Sequence, residues 1–472
     1  GPTLYSSPKQ IPGTTWTSAG HVSANGSAIF VKSDGTLWTW GSASRGQLGH
    51  NDRTQRSSPT QIPGTTWSKL FKAQGGYGAN LVHKTDGTLW AIGYNGEGGL
   101  GLNNITSYSS PVQLPGTTWS ITSNDGRSSF GIKTDGTLWS IGRNTSGNLG
   151  KNDTVDRSSP VQIPGTTWTS TDAHEKNYCS GNNMAAIKTD GTLWMWGSGY
   201  LGSLGQNYVA GEYGASYSSP IQVGTNTNWK HTTISRAIKT DGTLWTWGYN
   251  NSGQLGLNQS GTFSPSPDAQ QRANSRSSPT QVGTDTTWSV VADGGYYVYA
   301  VKTNGTLWSW GRNNNGVLGH NQGGSYPGYG TPYSSPKQVG SGTDWKQDMR
   351  AVTAATEACV GMIKTDGTLY MVGKNNSGAL GQNSTTQYSS PVQVPGTTWR
   401  TIDVDYHNAV VATKTDSTAW VWGYSSGGTL GQNQGSVVRF SSPTQLPGAW
   451  TAVSTMYNAT YGMKNSLTPS QL

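Results

Sequence analysis

Cysteine is nearly missing from this 472-residue chain: Cys179 and Cys359 are the only two, which excludes a disulfide-stapled scaffold. Charge is sparse as well, at 11% Asp, Glu, Lys and Arg against roughly 25% in an ordinary soluble domain. Disorder needs high charge and few aromatics, and here 10% of the residues are aromatic. No run of 18 apolar residues occurs, so no segment reads as a membrane-spanning helix. The 66 glycines show no period of three, which excludes collagen. Catalytic signatures are missing too. The seven His show no His-x-x-x-His pair or zinc spacing, and neither a Gly-x-Ser-x-Gly elbow nor a phosphate loop is present. These absences point away from an enzyme and imply no metal and no cofactor. No basic-apolar-small segment opens the chain, and Gly1-Pro2 has the form of a protease scar.

Phenylalanine is scarce at five residues, yet there are 21 Trp, so one Trp-bearing unit has been copied many times. Trp recurs in a turn at 16, 67, 119, 168, 229, 288, 345, 399 and 450. The first eight are each followed by a Lys-Thr-Asp-Gly-Thr-Leu-Trp block or a near copy, then Leu-Gly, then Ser-Ser-Pro. Every Trp falls in the turn slot or in Leu-Trp-x-Trp-Gly, so the Trp report architecture. Each unit reads as four strands. A starts at the turn Trp, B runs into Lys-Thr-Asp-Gly, C is Thr-Leu-Trp-x-Trp-Gly, and D follows Ser-Ser-Pro. Asp-Gly between short alternating runs predicts a type I′ hairpin turn. Four-stranded sheets repeated around an axis make an all-β, closed β-propeller occupying residues 1–472 as a single domain. The chain opens on a D-type segment (Ser6 to Ile11) and ends on a ninth A and B (Trp450 to Lys464). Nine blades use both pieces in a Velcro-type closure by the two termini; eight would leave them over. Nine is the expected count and eight the alternative.

The pattern Asp-Gly-Thr-Leu-Trp-x-Trp-Gly-x-Asn-x-x-Gly-x-Leu-Gly, clear in Asp241 to Gly256, resembles the repeat of the regulator of chromosome condensation (RCC1-like) family. The resemblance implies a propeller, usually of seven blades. It does not imply one function, since the family includes a nucleotide-exchange factor for a small GTPase, a plant UV-B photoreceptor and a bacterial β-lactamase inhibitor. The photoreceptor's Gly-Trp-Arg-His-Thr stretch is absent, and no segment matches the exchange factor's wedge. Near-identical units rich in Ser, Thr, Asn and Gly look like prokaryotic or phage-borne extracellular members.

The nine copies form an internal alignment. B–C and D–A turns are almost fixed, whereas the A–B segment varies from 9 to 19 residues and the C–D loop from 7 to 20. Up-down strand direction places both variable connections on one face of the disc. The longest C–D loops, Gln206 to Tyr217, Leu257 to Arg276 and His320 to Tyr333, are expected to wall one sector. Loops on a rigid scaffold are where binding residues concentrate. The candidate ligand-binding set is therefore Tyr77, Arg127, Phe130, His174, Tyr178, Tyr208, Tyr213, Phe263, Tyr296, Tyr297, Tyr326, Tyr329, Tyr406 and His407. Part of this set would instead pack the interior. Net charge is +8, but Lys before the hairpin turn recurs nine times, so a structural brace is favoured over a nucleic-acid contact. The expected function is non-enzymatic recognition of a surface glycan or protein receptor, outside the cell or on a virion, without membrane insertion. The alternative is regulation of a protein partner, as a GTPase exchange factor or an enzyme inhibitor.

Overall fold

A computed structural model describes residues 16–22, 27–70, 78–124, 127–169, 177–180, 182–207, 216–259, 274–322, 331–348, 352–354, 359–405, 408–425, 430, 432, 438–456 and 459–464. Eight four-stranded antiparallel sheets follow one another along the chain, each a simple meander. Blade two is typical: Trp67–Leu70 is strand A, Ala79–Lys84 B, Leu89–Gly93 C and Tyr108–Gln113 D. The count is therefore eight, which corrects the expected nine. Among the described residues, the ninth unit forms a two-stranded hairpin, Trp450–Met456 with Ala459–Lys464. Its first strand lies against blade eight and its second against Trp16–Val22 of blade one. The pieces invoked for terminal pairing, residues 1–15 and 465–472, lie outside the described residues.

The hairpin turn also differs from type I′. Gly35 N–H bonds the Lys32 carbonyl at 2.9 Å, and Lys32 N–H bonds Thr36 O at 2.9 Å. That closes a three-residue loop in which Gly35 has positive φ (78°) and Asp34 does not. This is a type I turn followed by a left-handed residue, so only the glycine slot needs positive φ. Asp34 is used through its side chain: Oδ1 accepts from the Thr36 amide (3.0 Å) and hydroxyl (2.6 Å), and the Thr36 hydroxyl accepts from Trp38 Nε1 (2.7 Å). The relay recurs with Asp86, Asp135, Asp190, Asp241 and Asp416, and with Asn304 in blade six.

Each turn Trp pairs across strands A and B with the Lys that precedes the hairpin, from Trp16 opposite Lys32 to Trp450 opposite Lys464. This register places the ammonium between two rings. Lys239 Nζ lies 4.7 Å from the Trp229 centroid and 3.8 Å from Trp245, and Lys302 repeats the pattern at 4.6 and 3.9 Å. The lysines that dominate the net charge thus brace their blades by cation–π contact.

Adjacent blades are joined in two ways. Apolar side chains of facing sheets form shared cores, as where Phe130 and Ile132 of blade three meet Trp168, Met184 and Trp196 of unit four. On the loop side, a left-handed Asn after Leu-Gly donates its N–H to the first Ser of Ser-Ser-Pro in the next blade. Asn51 to Ser109, Asn207 to Ser277 and Asn383 to Ser441 each measure 2.6 Å, and the bond recurs at all seven junctions between the eight blades.

Candidate functional site

The fixed turns share one face, since Trp67 N–H bonds Gly35 O at 3.0 Å, tying the D–A turn of one unit to the B–C turn of the previous one. The other ends of strands B and C therefore define the loop-bearing face. There the residue after Trp-x-Trp-Gly continues the ladder by one rung, donating its N–H to the residue that leads into strand B. Tyr94 bonds Gly78 O (3.2 Å), Arg143 bonds Arg127 O (3.2 Å), Ser198 bonds Asn182 O (2.9 Å), Arg312 bonds Tyr296 O (2.9 Å) and Tyr424 bonds Asn408 O (3.1 Å). The backbone bond is the same in these five blades while the slot varies among Tyr, Arg and Ser; in blade five the ladder ends two residues earlier, where Trp247 N–H bonds Ser235 O at 3.0 Å. Tyr249 and Lys374 occupy the slot in units five and seven.

Side chains on this rung meet residues three positions further along the C–D loops of neighbouring blades. The Arg45 guanidinium lies 4.4 Å from the Tyr94 ring of blade two, and Tyr94 in turn lies over Gly96, where an added Cβ would come within 2.3 Å of its hydroxyl. Glu97 reaches Arg127 of blade three at 3.9 Å, with both side chains about a third exposed or less. Arg312 lies 5.3 Å from the Tyr296 ring in blade six. Arg143 and Lys374 are half-buried and have no side-chain partner among the described residues. The described rung thus carries Arg and Tyr in excess of acids. Flat guanidinium and phenol groups present large contact area at small entropic cost.

Two members of the expected site sit at the rung: Arg127 and Tyr296, both half-buried. Phe130 and Tyr297 do not, since at 3% and 2% exposure they belong to the cores between blades. Both lie within the paired part of strand B, which is buried on both faces: every residue from Ser128 to Ile132 and from Tyr297 to Lys302 is buried. Tyr178 lies in the strand Asn177–Ser180 opposite Ala185. Tyr77, His174, Tyr208, Tyr213, Phe263, Tyr326, Tyr329, Tyr406 and His407 lie outside the described residues, as does most of the expected C–D wall. Sequence reasoning passed over Arg45, Tyr94, Arg143, Arg312, Lys374 and Tyr424. For all but Arg45 the usable signal was the single variable slot directly after the invariant Gly that closes strand C.

The described residues hold no cluster of three His, Cys, Asp or Glu suited to a metal. Cys359 is fully buried, and burial with nearby Asp405 pushes its thiol up to about 12, which removes it as a nucleophile at neutral pH. No helix of the described residues is long and apolar enough to cross a membrane. The arrangement offers a binding surface on a rigid frame.

Over 219 residues, 45% of this chain, it is 27% identical to the human protein described as probable E3 ubiquitin-protein ligase HERC6. It spans only 19% of that relative's length. Among solved structures, Prp20p from Saccharomyces cerevisiae is 16% identical with a TM-score of 0.48, over 81% of this chain and 92% of that one. Human WBSCR16 is 18% identical with a TM-score of 0.48, over 91% and 100%. The repeat described as Regulator of chromosome condensation (RCC1) matches residues 34–80, 135–171, 241–301, 304–355 and 366–406. These five matches span half of the chain and coincide with the blade repeat built above, so the chain belongs to the RCC1 repeat family.

Proposed function

We propose that this chain is a non-enzymatic recognition module that binds a protein or glycan receptor on a cell surface through its loop-bearing face. One observation carries the reading: in five of the eight blades the last rung keeps one backbone bond while the residue donating it changes between Tyr, Arg and Ser. A frame under packing constraint alone would keep one side chain there, as it keeps Lys and Trp at the other end. Binding residues placed on rigid elements hold their geometry better than residues on free loops. Regulation of a protein partner, by nucleotide exchange on a GTPase or by inhibition of an enzyme, is the second reading. Membership of the RCC1 repeat family favours it.

Glycan-array and protein-display binding of the chain, compared with a Tyr94→Ala/Tyr249→Ala/Tyr424→Ala variant, tests the proposal. Binding that the triple variant loses at an unchanged melting temperature supports it. Ligands that bind both proteins equally sink it. A tight stoichiometric protein complex that alters nucleotide release or enzyme activity would establish the second reading instead.

A further inference from the structure

We infer that the belt across blades one to three takes an acidic peptide segment of a partner protein, an inference that rests on the proposed use of the loop-bearing face. The belt is continuous. Arg45 of blade one lies over Tyr94 of blade two, Glu97 of blade two reaches Arg127 of blade three, and Arg127 and Arg143 face each other across the last rung of that blade. Among the described residues of the belt, three guanidinium groups therefore accompany one carboxylate, and Arg143 has no side-chain partner there. All three cations are Arg, whose planar fork matches a carboxylate through two parallel N–H···O bonds, which the point charge of Lys does not.

The position of Glu97 decides between classes of anion. It sits between Tyr94 and Arg127, in the middle of the belt. A ligand with anions along its whole length, such as a sulfated glycan or a nucleic acid, would lay one of them against this carboxylate. Like charges in contact oppose binding. An extended peptide avoids the conflict, because its carboxylates can be spaced to reach Arg45 on one side and Arg127 and Arg143 on the other. A neutral or aromatic side chain between them then falls on Tyr94, whose ring is already held by Arg45 and Gly96. Alternation of flat ring and guanidinium suits a chain in which acidic residues alternate with Tyr or Phe.

The test uses the full chain and a labelled synthetic peptide of repeated Glu-Gly-Tyr, read by fluorescence anisotropy. Its Gln-Gly-Tyr analogue, heparin and duplex DNA serve as the other probes. The expected result is saturable, salt-weakened binding of the acidic peptide and at least tenfold weaker binding of the Gln analogue. Arg45→Glu and Arg143→Glu should each weaken the acidic peptide at least tenfold at unchanged melting temperature. Lys230→Glu, an exposed position at the turn end of blade five, should leave binding unchanged. Equal binding of the Gln analogue, equal loss in Lys230→Glu, tighter binding of heparin or DNA than of the peptide, or no binding of any probe would each overturn the inference. The triple Tyr variant is measured alongside: a receptor lost by that variant but indifferent to Arg45→Glu and Arg143→Glu would sink the acidic-peptide assignment and leave the recognition proposal standing.

Discussion

Trp196 Nε1 donates to the carbonyl of Asn148 across the junction between blades three and four, at 2.7 Å. The acceptor is the residue between Gly and Leu-Gly in the preceding C–D loop, and this carbonyl is bonded at all seven junctions. Trp247, Trp310 and Trp422 serve Ser203, Gln254 and Ala379 in the same way. Where the Trp is replaced by Ile92, Ile141 or Val372, another donor takes over: Asn80 Nδ2 to Gln47 O and Ser129 Oγ to Gly99 O across the junction, and Tyr299 Oη to Val317 O from within blade six. The repeat conserves a satisfied carbonyl and lets the donor change, because a buried acceptor left unbonded is costly. Trp196→Phe is therefore expected to destabilise the chain by about 1–3 kcal/mol. Asn80→Ala should cost about as much, although it removes a far smaller side chain. Urea titration of both variants checks this, and an Asn80→Ala midpoint equal to wild type would refute it.

Close approach at the junctions makes a second outcome specific. Gly316 has φ of 70°, and a Cβ there would lie 2.4 Å from Ser389 Cβ and 2.6 Å from its Cα. Gly283 has nearly the same φ, 61°, with nothing within 4 Å of an added Cβ. Gly283→Ala should cost only the left-handed backbone penalty, roughly 1–2 kcal/mol. Gly316→Ala should cost about 1–3 kcal/mol beyond that, because blades six and seven must separate to admit the methyl group. Thermal unfolding of the pair isolates the contact from the backbone term, and matching melting temperatures would show that the junction yields freely.

Periodicity made most of this architecture legible, because strand positions, Trp slots and the fixed turns repeat eight times and packing holds them constant. The limits were also physical. Asp-Gly signals a hairpin, but a two-residue loop and a three-residue loop share that dipeptide, so the loop length followed only from the Lys32–Gly35 hydrogen bond. Lys two residues before Asp suggests an ion pair, whereas the cross-strand register hands the ammonium to the Trp rings. At the candidate site, variability marked Arg127 and Tyr296 but could not separate them from Phe130 and Tyr297, one position from the core or three. Burial is continuous once strand B begins, and the exact start of the strand was not readable. Arg143 and Arg312 went unnoticed because one variable slot beside a fixed motif looks like noise until its backbone bond is seen.

A local exception to the repeat gives a stabilising substitution. Ser417 has φ of 66° in the slot where the other hairpins have Gly. At most of the other hairpins a Cβ is barred: at Gly87 it would sit 2.2 Å from the Thr117 carbonyl oxygen. After blade eight the following turn, Pro447-Gly448-Ala449, is one residue shorter than Pro-Gly-Thr-Thr, which removes the residue that would collide. Ser is tolerated there, yet it retains the left-handed strain. Ser417→Gly should gain about 0.5–1 kcal/mol, the backbone relief less the added freedom of the unfolded chain. Gly87→Ser should be strongly destabilising. A lower melting temperature for Ser417→Gly would contradict the strain assignment.

Acid sensitivity follows from two histidines on the C–D side. His320 Nε2 lies 2.9 Å from Ser309 Oγ, whose proton is donated to Leu318 O at 2.6 Å, so the ring nitrogen carries the hydrogen of that contact. Tyr333 packs edge-on at 4.9 Å. Burial drives the imidazole down to about 4 from its ordinary 6.5, and Lys337 adds to the shift. Burial lowers His50 as well. The unfolded chain therefore takes up protons below 6.5 that the folded chain refuses until about 4, so stability is full above pH 6.5 and declines as pH falls toward 4. The turn carboxylates act in a lower window. The Thr36 hydroxyl and amide hold Asp34 below 3.8, so its contribution persists until the pH falls below the ordinary carboxylate range. Urea midpoints should fall between pH 7 and pH 5, and His50→Gln/His320→Gln should flatten that slope without changing the loss below pH 4. A double variant with the wild-type slope between pH 7 and 5 would place the acid response elsewhere.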